Sequence, residues 1–245
     1  MTFAPAPLPQ PAPHRHNLSF AAALVLVCFG AVVFLAVQND WFRSSSSTSG
    51  TRGSGVAATQ ARQVSSFSSV ELAGSDNVVV HVGGAQSVVV HADDNLLGHV
   101  ITRVELGNLV VANTSGSFTT KTPMRVDVTV QSLTALALTG SGVIDATGIE
   151  GPRLTVALSG SGVLHASGSV TALEVTVAGS GDAELEQLVA RDVHAVVSGS
   201  GRIVVIATRT LGAEVPGSGA IAYGGHPAHV TTSITGSGSI APTSP

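Results

Sequence analysis

The chain has 245 residues and a formal net charge of −4, with 28 glycines but only 11% charged and 4% aromatic residues. One lysine and ten arginines are scattered along it, which excludes the clustered basic surface of a nucleic-acid-binding protein. Cys28 is the only cysteine, so neither a disulfide framework nor a cysteine-based metal site can form.

The N-terminal part predicts a membrane attachment. Residues 1–17 are a Pro-rich tail, and residues 18–37 form an uncharged apolar run. As a helix, that run would just span a hydrocarbon core of ~30 Å. A cleaved signal sequence is the alternative, but its apolar core is usually shorter and ends in a small-x-small site. We therefore expect a single-pass cell-membrane protein. Arginines lie on both sides of the run, so charge does not set its orientation. We expect the β-domain that follows in the periplasm or the extracellular space, because β-solenoids rich in small residues are common on cell surfaces.

Three further boundaries follow from composition. Residues 38–63 are rich in Ser and Gly and predict a flexible tether. From residue 64 onwards apolar and polar residues alternate, which predicts a β-domain over residues 64–240 and a short C-terminal tail over 241–245.

A Gly-Ser-Gly segment recurs six times in the β-domain, at steps of 18 to 20 residues. Apolar residues alternate on both sides of each copy, which predicts a strand, a corner and a second strand. Flexible linkers lack this alternation. The corner residues are Gly140, Ser141, Gly142, Gly160, Ser161, Gly162, Gly179, Ser180, Gly181, Gly199, Ser200, Gly201, Gly217, Ser218, Gly219, Gly236, Ser237 and Gly238.

This period predicts an all-β fold: a β-solenoid, a single-stranded β-helix-like stack of coils of ~19 residues. The residue two places before each corner is apolar and should face inward. This column is Leu138, Leu158, Val177, Val197, Val215 and Ile234. We expect glycine at the corner because it reaches positive φ without a Cβ penalty. Gly74-Ser75-Asp76 resembles a degenerate corner, so the earlier residues should form an atypical first part of the stack.

Three sequence features carry a family resemblance: residues 67–72, residues 87–97 and the serial Leu-x-Val-x-Leu-Ser-Gly-Ser-Gly units. With them the chain resembles the head GIN domain family of auto-transporter adhesins, found in bacterial envelope proteins, over roughly residues 64–240. The resemblance implies a β-helical, surface-exposed or periplasmic domain with an adhesin-like role. It implies no catalytic residues.

The best candidate site is an outward ladder of Asp145, His165 and Glu184, which occupy the same position in three successive coils. At a spacing of ~4.8 Å they could hold a divalent cation or act as acid and base. A solvated outer face is the simpler interpretation, and we favour it. Glu174 and His194 form a second outward pair.

Motifs for a nucleophilic serine and for a phosphate loop are missing from the sequence. We therefore predict a non-catalytic binding or scaffolding module without metal or cofactor, whose partners are the membrane through residues 18–37, a surface protein or glycan, and further copies of the chain. A polysaccharide-acting enzyme is one alternative, although clustered basic residues and aromatic platforms are missing. A structural envelope protein that self-assembles through its end coils or through an apolar wall is the other.

Overall fold

The fold is a β-solenoid of about five turns, seen in a computed structural model that describes residues 50–243. The all-β prediction is confirmed. Within residues 50–243 no helix is both long enough and apolar enough to cross a membrane. The predicted anchor at residues 18–37 and the tail before it lie outside the described residues.

One short 3-10 helix, Leu97–His99, interrupts the strands of the described part. In chain order, the strands are β1 (Thr51–Arg52), β2 (Ala57–Ala61), β3 (Ser69–Ala73), β4 (Asn77–Val82), β5 (Ser87–Asp93), β6 (Val100–Glu105), β7 (Asn108–Asn113), β8 (Phe118–Thr119), β9 (Arg125–Val130), β10 (Ala135–Leu138), β11 (Val143–Leu158), β12 (Val163–Val177), β13 (Asp182–Val197), β14 (Arg202–Val215), β15 (Ala220–Gly224), β16 (His229–Ile234) and β17 (Ser239–Pro242).

The body of the solenoid consists of β11 to β14, long bent strands that each run from one corner to the next. They pair in parallel, so that Ile144 lies beside Leu164 and Leu164 beside Ala183. On both sides of the bend in β11 to β14, alternate residues point inward and are buried. Because each coil covers its neighbour, the apolar interior runs continuously along the stack and supplies the main driving force for folding.

The Gly-Ser-Gly corners lie directly above one another and bond through their main chains. The carbonyl oxygen of Gly160 accepts N–H bonds from Ser180 at 3.1 Å and Gly181 at 3.2 Å. The carbonyl oxygen of Gly179 likewise accepts from Ser200 at 3.0 Å and Gly201 at 3.2 Å. This pattern satisfies the polar backbone groups at a sharp bend, where strand pairing alone would leave some of them open.

The reason for glycine at these corners differs from the expectation of positive φ. Positive φ occurs at Gly148, Gly168 and Gly225, near another bend of the coil, and not at the Gly-Ser-Gly corners. A Cβ at Gly160 would instead overlap the carbonyl oxygen of Gly140 and lie 2.8 Å from its carbonyl carbon. Glycine is required because successive corners approach backbone to backbone.

The N-terminal part of the domain joins the stack out of chain order. Strands β3 and β4 pair in parallel with β10 and β11 above them and with β7 and β9 below them. Between β3 and β4, Gly74 accepts the N–H of Ser141 at 3.1 Å, so Gly74-Ser75-Asp76 is a corner of the same stack. Strands β5 and β6 then pair antiparallel with β9 and β7 and cover this end of the solenoid.

Residues 50–63 are folded onto this covered end, which contradicts the predicted tether over that stretch. Strand β2 pairs antiparallel with β5, and β1 pairs with β8. The carboxylate of Asp93 is fully buried and accepts backbone N–H bonds from Gly55 at 2.7 Å, Lys121 at 2.9 Å and Thr122 at 3.3 Å. One side chain therefore joins three segments that are distant in sequence.

The two residues after Asp93 also bind the N-terminal segment. We call Asp93, Asp94 and Asn95 together the clamp. Asp94 accepts the hydroxyl of Ser54, and Asn95 both accepts the N–H of Ser54 at 2.9 Å and donates to the carbonyl of Arg52 at 2.9 Å. Burial raises the pKa of Asp93, but the three backbone donors outweigh it and hold that pKa below its ordinary value. The clamp thus works with an ionised Asp93.

The opposite end of the stack is open. Strand β16 is exposed along its whole length, and Ile234, predicted to face inward with Leu138 and Val215, is 46% exposed. Ile234 is in register with the buried Val215, as the inward column predicts. It is exposed because no further strand of the described part pairs with β16 on its outer side. Strand β17 continues to Pro242, so the start of the predicted C-terminal tail belongs to the last coil.

The corner contact predicts unequal effects of two glycine substitutions. Gly160→Ala should destabilise the domain by about 1–3 kcal/mol or more, because the methyl group must displace the backbone of the neighbouring corner. Gly151→Ala is the matched control, since a Cβ there meets no atom within 4 Å, and its effect should stay within about 0.5 kcal/mol. Urea unfolding of both variants measures the difference, and equal stabilities would contradict the steric explanation.

The clamp predicts that Asp93→Asn releases residues 50–56, because an uncharged amide cannot accept three N–H bonds. Trypsin should then cleave after Arg52 several-fold faster, as followed by mass spectrometry. Asp94→Asn is the control, since Asp94 contributes one side-chain bond to Ser54 and none to Gly55, Lys121 or Thr122. Cleavage that is equally fast in both variants would assign the ordering of this segment to β2 alone.

Candidate functional site

The three residues of the predicted ladder lie side by side on the outer face of the solenoid. Asp145 is in β11, His165 in β12 and Glu184 in β13, and the strand register pairs Asp145 with His165 and His165 with Glu184. Val79 and Val204 occupy the same column on either side. The polar ladder is therefore three coils long and has an apolar residue at each end.

The imidazole of His165 bridges the two carboxylates. Its Nδ1 lies 2.6 Å from Asp145 Oδ1, and its Nε2 lies 3.1 Å from Glu184 Oε2. The side chains of His165, Asp145 and Glu184 are 45%, 47% and 42% exposed. Both ring nitrogens therefore have a hydrogen-bonding partner at a partly solvated surface.

This arrangement favours the charged imidazolium. The hydrogen bond to Asp145 raises the pKa of His165, partial burial opposes the rise, and the charges of both carboxylates add to it. A protonated ring can donate from both nitrogens at once, whereas a neutral ring can donate from only one. Because the folded-state pKa is raised, the ladder stabilises the fold below pH ~6.5 and loses this contribution as the pH rises through the folded-state value.

The same geometry speaks against a metal at the ladder. A metal ion needs a free ring nitrogen lone pair, and both nitrogens of His165 are directed at carboxylates. Within residues 50–243, no group of three His, Cys, Asp or Glu side chains is arranged to hold a metal ion. Asp145, His165 and Glu184 form an ion-pair ladder in this structure.

The ladder forms one side of a groove of about 360 Å³. Three carboxylates line this groove around a single histidine, and neutral polar residues complete it. The lining residues are Asp145, Ala146, Thr147, His165, Ala166, Ser167, Glu184, Glu186 and Gln187. None of them is aromatic or basic apart from His165, so the groove carries net negative charge.

An irregular bend in β13 brings Glu186 to the groove. His165 pairs with Glu184, but the next pairing is Ser167 with Gln187, so β13 has one residue more than β12 at this point. Such bulges redirect side chains. Glu186 was not predicted as a site residue from the sequence, although the step from Gly179 to Gly199 is two residues longer than the following step to Gly217.

Histidines at other strand positions lie apart from the ladder. Glu174 and His194 are paired in register on another stretch of β12 and β13, and Glu174 lies 3.8 Å from Arg153. His81 Nδ1 lies 3.0 Å from the hydroxyl of Thr147, and His91 lies 2.9 Å from Asp127. The structure brings together the ladder and the groove residues, and leaves the Glu174–His194 pair outside the groove lining.

Solved structures from Bacteroides and Parabacteroides species share this fold. A "putative adhesin" from Bacteroides fragilis matches at a TM-score of 0.63, with 21% identity over 79% of this chain and 100% of that one. A "putative adhesin" from Parabacteroides merdae matches at 0.54, with 17% identity over 79% and 99%. A "putative lipid binding protein" from Parabacteroides distasonis matches at 0.50, with 23% identity over 80% and 100%. At these identities the likeness shows the fold. No curated protein matches the chain.

Stacked coils, glycine corners and covering antiparallel strands define the protein as a parallel β-solenoid with an acidic groove on its outer face. The chain belongs to the family described as "Putative auto-transporter adhesin, head GIN domain", whose model matches residues 66–227. The family expected from the sequence is thereby confirmed.

The ladder predicts a shifted titration of His165. By NMR, its pKa should lie above 6.5, and Asp145→Asn should lower it more than Glu184→Gln does, because the bond to Asp145 makes the largest contribution. Glu184→Gln is the matched control, since it also removes one carboxylate. An unshifted His165, or equal responses to the two variants, would show that the bridge does not persist in solution.

Proposed function

We propose that this protein is a non-catalytic binding module of the bacterial cell envelope, anchored in the membrane through residues 18–37, with its solenoid in the periplasm or the extracellular space. Membership in an adhesin family supports a binding role. The observation that carries the proposal is the acidic groove beside the ladder, where Asp145, Glu184 and Glu186 face one shared concave surface.

The arrangement of His165 supports binding over catalysis. A general base needs a ring nitrogen that is free to take a proton, and a nucleophile needs such a base within reach. Both nitrogens of His165 are already bonded to carboxylates. The hydroxyls of Thr147 and Ser167 line the groove, but they are not hydrogen-bonded to His165 among the bonds of the described residues. The ladder therefore holds the carboxylates of Asp145 and Glu184 in fixed positions and leaves His165 without a free nitrogen for proton transfer.

The charge of the groove favours a cationic partner, such as a basic segment of a surface protein. Three carboxylates outnumber the single imidazolium, and oppositely charged patches speed association and select partners. Glycan-binding sites commonly stack sugars on aromatic rings, and the lining has none. A basic protein segment is thus the ligand class that we propose, with a glycan as the competing outcome.

The groove predicts a charge-dependent loss of binding in the triple variant Asp145→Ala, His165→Ala and Glu184→Ala. Exposed ion pairs contribute about 0.2–1 kcal/mol each, so binding of an arginine-rich peptide should weaken about tenfold by calorimetry. The melting temperature should change little, because these side chains are partly solvated. The matched control is Glu174→Ala with His194→Ala, which removes a similar outward pair away from the groove and should bind as the wild type does.

Two results would overturn the proposal. One is equal peptide binding by the triple variant and the control. The other is release of sugar from an envelope polysaccharide by the wild type but not by the folded triple variant, which would make the ladder a catalytic site. The proposed location has its own test: protease treatment of intact cells that carry a tag at Pro245 distinguishes an exposed domain from an internal one.

A further inference from the structure

The last coil of the solenoid leaves one strand edge unpaired. Strand β16 pairs with β14 on one side, and among residues 50–243 no strand pairs with its other side. Val230 and Ile234 of β16 are 43% and 46% exposed, although both belong to the inward-facing columns. An edge of this kind presents free N–H and C=O groups that readily pair with another chain.

The outer strands at the two ends of the stack differ in how their edges are protected. The N-terminal end is covered by the antiparallel strands β5 and β6, and β6 carries Arg103 and Glu105. On the open end, β17 finishes at Pro242, whose nitrogen cannot donate a hydrogen bond. Strand β16 has the sequence His-Val-Thr-Thr-Ser-Ile, without proline and without Lys, Arg, Asp or Glu. Neither proline nor a charged side chain therefore protects the free edge of β16, and the same holds for the short strand β2 that lies over β5.

The free hydrogen-bonding groups of β16 belong to alternate residues. Thr235 N–H donates to Val215 O at 3.2 Å, toward the neighbouring coil. Since successive residues of a strand point their backbone groups to opposite sides, those of Val230, Thr232 and Ile234 face the open side. The same three residues align with the buried Leu211, Ala213 and Val215 of β14. Their side chains therefore continue the inward columns.

We propose that two copies of this chain associate through this edge, with β16 of one copy antiparallel to β16 of the other about a two-fold axis at Thr232. This register places Val230 opposite Ile234 of the second copy and Thr232 opposite Thr232. Val230, Thr232 and Ile234 of one copy then stand opposite the same three residues of the other. Each of these three residue pairs can form two backbone hydrogen bonds, about six in total. The exposed apolar side chains become cross-strand pairs, and the two cores join.

A closed dimer and a fibre differ in the edge that β16 meets. A head-to-tail filament would pair β16 with the free edge of β2 at the N-terminal end, and that arrangement brings no two copies of Thr232 together. The two-fold arrangement uses the same edge of both copies and leaves none open on β16. This assembly is independent of the groove, and it goes beyond the proposed binding function.

Cysteine cross-linking of the full chain in detergent tests the register. In a Cys28→Ser background, which removes the only native cysteine, Thr232→Cys should form a disulfide-linked dimer under mild oxidation. Val230→Cys alone should not, because the two copies of residue 230 would lie ~13 Å apart, given four residues at ~3.3 Å each, and disulfides need Cα atoms within ~7 Å. A mixture of Val230→Cys chains and Ile234→Cys chains should cross-link.

The control for random collision is Ser200→Cys, which is exposed at a corner of an interior coil. A charge on the edge provides a second test. Adding Thr232→Lys to the mixed cysteine pair should abolish the cross-link, while adding Ser200→Lys should leave it unchanged. Cross-linking of Thr232→Cys no faster than Ser200→Cys, or efficient cross-linking of Val230→Cys alone, would overturn the proposal. So would a cross-link that persists in the Thr232→Lys chains.

Discussion

Close contact between the backbones of successive Gly-Ser-Gly corners is the constraint on which the rest of the solenoid depends. At Gly160 there is no room for a Cβ because the carbonyl oxygen of Gly140 lies against it, and this oxygen accepts the N–H of Ser161 at 3.2 Å. The contact fixes the register of each coil on its neighbour. Residues at equal distances from their corners are therefore placed beside one another. Asp145, His165 and Glu184 each lie five residues after the first glycine of a corner, and for this reason they form a ladder.

The regular distance from the corner also explains which parts of the structure could be predicted from the sequence. The inward columns and the ladder need only the repeat, whose period is visible in the residues themselves. The repeat could not predict that β3 and β4 lie between strands that come later in the sequence. Strands that follow one another in the chain need not be neighbours in the stack. The tether prediction failed over residues 50–63 because Ser and Gly composition describes an isolated segment. The buried Asp93 of a distant strand supplies the bonds that hold this one.

The groove arises where the repeat is broken. A regular solenoid has a flat outer wall, which offers a ligand little concave surface. The extra residue of β13 opens the wall beside the ladder and adds Glu186 to it. The physical role of His165 follows from this position. Its ring lies one coil from each of two carboxylates that are two coils apart and bonds to both, so that the charge of the groove has a fixed geometry before any ligand arrives. Such preorganisation reduces the ordering cost of binding.

The two ends of the solenoid give the proposed assembly a direction. The described chain starts at the covered end, where the clamp around Asp93 holds residues 50–56. The open edge of β16 lies at the other end of the stack. Tail-to-tail pairing would therefore place the starting points of two chains at opposite extremes of the dimer. The groove of each copy lies on the outer wall of β11 to β13, away from β16, so pairing and ligand binding could occur together.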